Sequence, residues 1–266
     1  MDSKVYKVSQ KILSKNDIKA NEMREIYKKD NLYVINLMSS PGSGKTTLLE
    51  AFAKVGRGEN LADSIESKTL ADSTRQADFV ESKIPEDSTS YADLKNTDSI
   101  DSSFRFAVIE GDLETNRDAE RLQKHNINAY QITTGDACHL EAAMIEKAYF
   151  ELDSSGAFKE VDFLFIENVG NLVCPASYDL GEHLNMVLLS APEGDDKVLK
   201  YPTMFLKADV VVVTKSDIME YFDFKIESVK KDLEKLNPKA ELFVVSMKEP
   251  QSVKNLIEFI KKCSKK

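Results

Sequence analysis

Apolar residues fall along this chain in two rhythms. Short, mainly apolar runs occur at Leu32–Met38, Phe104–Ile109, Ala129–Ile132, Val161–Ile166, Met186–Leu189, Val210–Val213 and Leu242–Val245. Each has the length of a strand, and a strand without polar alternation is buried on both faces. Between them lie helix-length segments: Lys45–Lys54, Thr115–Lys124, His139–Leu152, Lys225–Leu236 and Val253–Cys263. In the last, Val253, Leu256, Ile257 and Ile260 share one helical face. Apolar strands alternating with helices predict an α/β fold, doubly wound around a mainly parallel sheet. Ahead of it, Val8, Ile12, Leu13, Ile18, Met23, Ile26 and Tyr27 are spaced for an N-terminal helical arm over residues 1–30. That arm reads as one helix or as two interrupted near Asn16-Asp17.

Residues 56–103 break the pattern. They hold 11 acids, five bases, nine Ser and four Thr, with 13 of 48 positions hydrophobic against 42% for the whole chain. The segment reads as an acidic, Ser-rich insertion within a domain spanning 31–266, with partial disorder favoured over a small helical excursion. An ordinary solvated surface and a partner-docking acidic element both suit it. It carries −6 of the formal net charge of −9, so the rest of the chain is close to electrically balanced. That balance disfavours general nucleic-acid binding while leaving room for a local phosphate site. No run approaches the roughly 20 apolar residues of a membrane span, and the first residues lack a secretory apolar stretch, so a cytoplasmic location is expected.

The chemistry begins after the first strand. Ser39-Ser40-Pro41-Gly42-Ser43-Gly44-Lys45-Thr46-Thr47, placed between strand and helix, has the pattern of a phosphate-binding loop. Gly42 and Gly44 let backbone N–H groups of the loop, through Ser43 and Thr47, turn toward an anion at the positive end of a helix. Lys45 reaches the β and γ phosphates and the Thr46 hydroxyl coordinates Mg²⁺; the strict pattern has Gly where Ser39 stands. The strand Val210–Val213 ends in Thr214-Lys215-Ser216-Asp217. An aspartate there accepts hydrogen bonds from the N1–H and amino groups of guanine, which adenine cannot reproduce, and the Lys215 methylenes lie across the base. Thr214 stands where the guanine signature has Asn.

Two further strands end in acids, at Glu110-Gly111-Asp112 and Glu167-Asn168-Val169-Gly170. In a nucleotide site Asp112 holds Mg²⁺ or positions water, Glu167 meets the ion, and Gly170 offers its N–H to the γ-phosphate. As plain strand ends the same acids would only cap turns. The three cysteines, Cys138, Cys174 and Cys263, cannot make a disulfide framework. Cys138-His139 lies where a loop enters a helix, a setting that favours a thiolate, and Cys174 follows Gly170 by four residues. Cys and His suit Zn²⁺ or Ni²⁺; on spacing alone, buried structural cysteines are the better reading.

Those segments together resemble the hydrogenase nickel-incorporation GTPase family, HypB. The resemblance covers the chain outside 56–103 and rests on Asn36–Glu50, Ile109–Asp112, Cys138–Ala142, Glu167–Pro175 and Glu193-Gly194-Asp195-Asp196-Lys197. It implies a P-loop GTPase of slow intrinsic rate, a GTP-dependent homodimer, and a Ni²⁺ or Zn²⁺ site formed by Cys138, His139 and Cys174 at the dimer interface. It also implies a nickel-delivery accessory protein and a hydrogenase large subunit as partners. Ser246-Met247-Lys248 falls at the last guanine-contacting loop, with Met247 offering its backbone, while Cys263 matches no motif and reads as helix packing. The N-terminal cysteine cluster or histidine tract of some members is absent here. Three rivals share parts of this pattern. A urease-type maturation GTPase would carry Cys-Pro-His; a small-molecule kinase would bring lid arginines, whereas no Arg follows Arg121; a non-hydrolysing metal-binding adaptor would have lost the base pocket through Thr214.

Overall fold

The computed structural model describes residues 3–59 and 104–265, with side chains from residue 13 onward. Seven strands make one sheet: β1 (Tyr33–Ser39), β2 (Phe106–Asp112), β3 (Asn128–Thr133), β4 (Phe163–Glu167), β5 (Leu184–Ser190), β6 (Val210–Thr214) and β7 (Glu241–Val244). Their order across the sheet is β3-β2-β4-β1-β5-β6-β7, and every neighbouring pair is parallel. The apolar runs explain which strands are central. All residues of β4 and β6 are buried, whereas the edge strands β3 and β7 mix exposed and half-buried positions.

Helices cover both faces. On one, α2 (Lys45–Gly56), α3 (Arg117–Lys124) and α8 (Pro250–Ser264) bury Leu48, Phe52, Leu122, Leu256 and Ile260 against Ile35, Val108, Phe165 and Val212. On the other, α1 (Ser3–Lys29) and α4 (Ala142–Ser154) bury Met23, Tyr27, Ile145 and Tyr149 against Val34, Ile109 and Ile166. Beyond them α5 (Lys197–Lys200), α6 (Pro202–Lys207) and α7 (Ile226–Leu236) cover β5 and β6 through Val198, Met204, Phe205 and Val229. Each such side chain contributes about 1.5–3 kcal/mol of hydrophobic stabilisation.

The sheet is parallel throughout, where a mainly parallel one was expected. Of the two readings of the N-terminal arm, the single helix holds: α1 is continuous past Asn16-Asp17. Asn16 is 6% exposed and spends its amide on tertiary partners rather than on its own backbone, so it does not stop the helix. Two starts shift inward. α3 begins at Arg117 instead of Thr115, whose N–H and hydroxyl both bond Asp112, and α4 begins at Ala142 instead of His139, because Glu141 is extended. The short helices α5 and α6 carry no clear period in the sequence. Most of the acidic insertion, from residue 60 to 103, lies outside the described residues, and with it the expected choice between disorder and helix.

Candidate nucleotide and metal sites

β1 lies between β4 and β5, where chain direction across the sheet reverses, and the loops after parallel strands gather at the sheet's carboxyl edge. The phosphate loop leaves β1 there. Gly42 and Gly44 adopt φ of +73° and +93°, a conformation L side chains resist, and the N-terminus of α2 has no side-chain cap. Its first N–H groups are therefore available to an anion. Lys45 is 8% exposed, and its ammonium donates to Ser39 Oγ at 3.1 Å. The serine that departs from the strict loop pattern is the acceptor that holds this lysine over the loop. Thr46 is buried and Thr47 exposed.

The loop is tied from the base side. Thr214 Oγ1 donates to the Ser43 carbonyl at 2.7 Å, and Lys215 Nζ donates to the Gly42 carbonyl at 2.8 Å. Ser43 Oγ lies 2.8 Å from the Ser40 carbonyl and 2.6 Å from Glu193 Oε1, which also accepts from the Ser190 N–H and hydroxyl. Glu193 opens the motif that carried no role in the sequence reading. Thr214, 4% exposed, braces the phosphate loop. Asp217 accepts from the fully buried Ser246 hydroxyl at 3.1 Å and pairs with the Lys248 ammonium at 3.0 Å. Burial alone would raise its pKa, but these two partners hold its carboxyl below the usual range, keeping it an ionised acceptor. Met247 is half-buried against the core, so its backbone is the part left for a ligand.

The acidic strand ends separate into two kinds. Thr46 Oγ1 donates to Glu167 Oε1 at 2.9 Å, and register pairs Glu167 with Glu110 on β2 and Glu110 with Gln131 on β3. Paired residues in a parallel sheet share a face, so the three side chains form one polar row beside Lys45. Glu110 and Glu167 are 2% and 3% exposed, and an oxygen of each, together with both amide atoms of Gln131, is buried without a protein partner. Burial, reinforced by the Glu167 charge, pushes Glu110 up to about 9. Burial also pushes Glu167 up to about 7, against the lowering effects of the Lys45 charge and the Thr46 hydroxyl. Unsatisfied hard oxygens beside a loop threonine fit a magnesium ion. Asp112 is engaged in its own turn: its Oδ2 accepts from Thr115 N and Oγ1 at 3.0 and 2.8 Å. Burial would raise its pKa, but these bonds outweigh it and lower it. Glu110 and Gln131 are the residues that motif reading missed; a charge or amide inside an otherwise apolar strand was the available signal.

The metal candidates do come together. Cys138, His139 and Cys174 place ligand atoms within 4.8 Å of one another, the one such group of three among the described residues. The two free thiols lie 2.8 Å apart, and Cys138 Sγ is 3.8 Å from His139 Nδ1. The thiol of Cys138 pushes the Cys174 pKa up. His139 stacks on Tyr178 with ring centroids 3.8 Å apart, and its Nε2, buried and without a hydrogen bond, lies 3.6 Å from Glu141 Oε1. Two cysteine sulfurs and an imidazole nitrogen within 4.8 Å of one another fit Ni²⁺ or Zn²⁺. Cys138 precedes α4 by four residues, so it lies outside the helix terminus expected to favour its thiolate; Cys174 instead caps the 3₁₀ turn Pro175–Ser177. Cys263 sits half-buried on α8 and outside the cluster.

Asn168 joins the two sites. It follows Glu167, and its Oδ1 accepts from the Leu140 N–H at 3.3 Å, between His139 and α4. Its Nδ2 donates to Asn36 Oδ1 at 3.2 Å. Leu140 in turn packs on Gly111, where an added Cβ would meet its side chain at 2.8 Å, and a Cβ on Gly170 would lie 2.9 Å from the Pro41 backbone. The segment from Glu167 to Cys174 thus touches the phosphate loop at one end and the thiol cluster at the other.

Residues 94–244 match the family described as CobW/HypB/UreG, nucleotide-binding domain. The hydrogenase/urease maturation factor HypB of Helicobacter pylori is 49% identical over 260 residues, covering 98% of this chain and 88% of its own. The chain belongs to the HypB family. Membership extends to more distant relatives: HypB of Azotobacter vinelandii is 36% identical over 98% of this chain and 70% of its own length. A crystal structure of Helicobacter pylori HypB in complex with nickel superposes with a TM-score of 0.75 at 48% identity, covering 94% of this chain and 95% of that one. HypB of Archaeoglobus fulgidus superposes at 0.68 with 28% identity, over 94% and 99% of the respective chains. This HypB-family chain has no helix, among its described residues, long and apolar enough to cross a membrane.

Proposed function

We propose that this chain is a GTP-hydrolysing metallochaperone that carries nickel toward nickel-iron hydrogenase in the cytoplasm. The observation that carries the reading is the Glu167–Cys174 segment, which begins at the Thr46 hydroxyl and ends at the thiol cluster. Asp217 and the Ser246–Met247 backbone select guanine, with Lys215 along the base. Gly42, Ser43, Gly44, Lys45 and Thr47 surround the phosphates. Lys45 leaves Ser39 for the β and γ phosphates as they enter. Thr46 and Glu167, with Glu110 beside them, would hold a magnesium ion, which would supply neutralisation of the phosphate charge. Asp112, held by Thr115, orients the attacking water, and the Gly170 N–H contacts the γ-phosphate. Loss of that phosphate releases Gly170 from Pro41, and Cys174 moves with it.

Cys138, His139 and Cys174 bind the nickel as cargo, or Zn²⁺ in its place, and leave a position open for a second copy or a recipient. The working unit is then a GTP-dependent homodimer served by a nickel-delivery accessory protein and discharging to the hydrogenase large subunit. The name of the Helicobacter relative, a hydrogenase/urease maturation factor, favours urease as a second recipient. Nickel titration in the presence of GDP and of a non-hydrolysable GTP analogue, with native mass measured in parallel, tests the coupling. Affinity should change at least fivefold between the two states and the dimer should appear with the analogue alone. Equal nickel affinity in both states would refute the switch.

A further inference from the structure

The two ligand-bearing segments of the thiol cluster come from distant parts of the chain, and one buried side chain on a third element touches both. Asn16 lies on α1. Its Oδ1 accepts the Ala142 N–H at 2.9 Å and its Nδ2 donates to the Asp179 carbonyl at 2.8 Å. Ala142 opens α4 three residues after His139, and Asp179 follows Cys174 by five. The Ala142 N–H is one of the donors that a helix start cannot satisfy internally. Without the amide, a buried donor on one segment and an acceptor on the other would both lose their partner.

Other contacts fix α1 to the same bend. Arg24 donates twice to Asp179, at 2.8 and 2.9 Å, and the Tyr27 hydroxyl donates to the Leu180 carbonyl at 3.3 Å. Gly181, at φ +81°, runs so close to α1 that a Cβ would lie 2.7 Å from the Ala20 carbonyl. The bend they hold presents Tyr178 flat against His139. Helix α1 therefore links the Cys138–His139 segment to the Cys174 segment as well as covering the sheet.

We propose that Asn16 is a positioning residue of the metal centre: its bridge between Ala142 and Asp179 sets the separation of Cys138 and His139 from Cys174, and through it the metal affinity. The proposal rests on those three residues being the ligands. The test is titration of the full chain with Ni²⁺, followed by the thiolate-to-nickel absorption, with binding of a fluorescent GDP measured alongside. Asn16→Leu removes both halves of the bridge. Asn16→Asp keeps the acceptor for Ala142 but turns an oxygen toward the Asp179 carbonyl, and its near-identical shape preserves the test if the leucine variant does not fold. Both should weaken nickel binding at least tenfold and shift the absorption, with GDP affinity within twofold of the parent. Parent-like nickel affinity and spectrum in Asn16→Asp would overturn the proposal. Cys174→Ser separates the two ideas: if it binds nickel like the parent, the ligand assignment fails, whereas if it is impaired and Asn16→Asp is not, only the role of Asn16 fails.

Discussion

The phosphate loop and the thiol cluster both stand at the carboxyl edge of the sheet, yet they are assembled differently. The loop is one contiguous stretch between β1 and α2, and its shape is held by short-range bonds and by Thr214, Lys215 and Glu193. The thiol cluster draws its candidate ligands from segments 36 residues apart in sequence, after β3 and after β4, and those segments are contacted by Asn168, Asn16 and the Tyr178 ring. A contiguous site can be rigid by itself. A composite site is only as fixed as the elements between its parts, which makes it the natural place for a signal from the nucleotide to arrive.

That contrast can be broken by substitution. Cys174→Ser should produce the largest effect, a loss of nickel affinity of about 100-fold or more, at or above the roughly 10–100-fold that losing a ligand's supporting partner costs. Guanine nucleotide affinity should stay within twofold; a comparable loss there would show that the two sites are not separable in the ground state.

Next is a pH effect confined to the nucleotide side. The folded-state pKa of Glu110 is raised to about 9, so between its unfolded value and about 9 the folded chain binds the extra proton. Stability of the nucleotide-free, magnesium-free protein should therefore fall as pH rises through that window, by up to about 1.4 kcal/mol per pH unit for one proton. Because Glu167, raised to about 7, adds its own slope below that pH, Glu110→Gln should flatten the slope in denaturant titrations chiefly between pH 7 and 9, and an unchanged slope there would place the titrating group elsewhere. The smallest effect belongs to the brace. Thr214→Val leaves the Ser43 carbonyl without its donor and should weaken GTP binding roughly fivefold, by about 1 kcal/mol, while preference over ATP is retained. Loss of that preference would mean that Thr214 reads the base directly.

Much of this was legible in the residues. The central strands were mainly apolar because helices cover both their faces, and each apolar run became a strand whose ends lie within three residues of it. The phosphate loop was legible because its chemistry needs adjacent residues. Glu110 and Gln131 were not, since their significance lies in pairing with Glu167 across three strands, and register is invisible until the sheet forms. Asp112 matched the expected spacing but is held by its own turn.

The sequence by itself determined the α/β class, the position of the phosphate loop, the aspartate suited to guanine, and the three candidate ligands for a soft metal. The first three come from local periodicity and from motifs whose members lie within a few residues of one another; the candidate ligands, on segments 36 residues apart, came from the resemblance to the HypB family. Only the tertiary structure decided that Ser39 holds Lys45, that Thr214 braces the loop, and that Asn16 spans the two halves of the thiol cluster. A polar side chain acquires such a role from the donor or acceptor that folding places opposite it, and for Asn16 those partners lie 126 and 163 residues away.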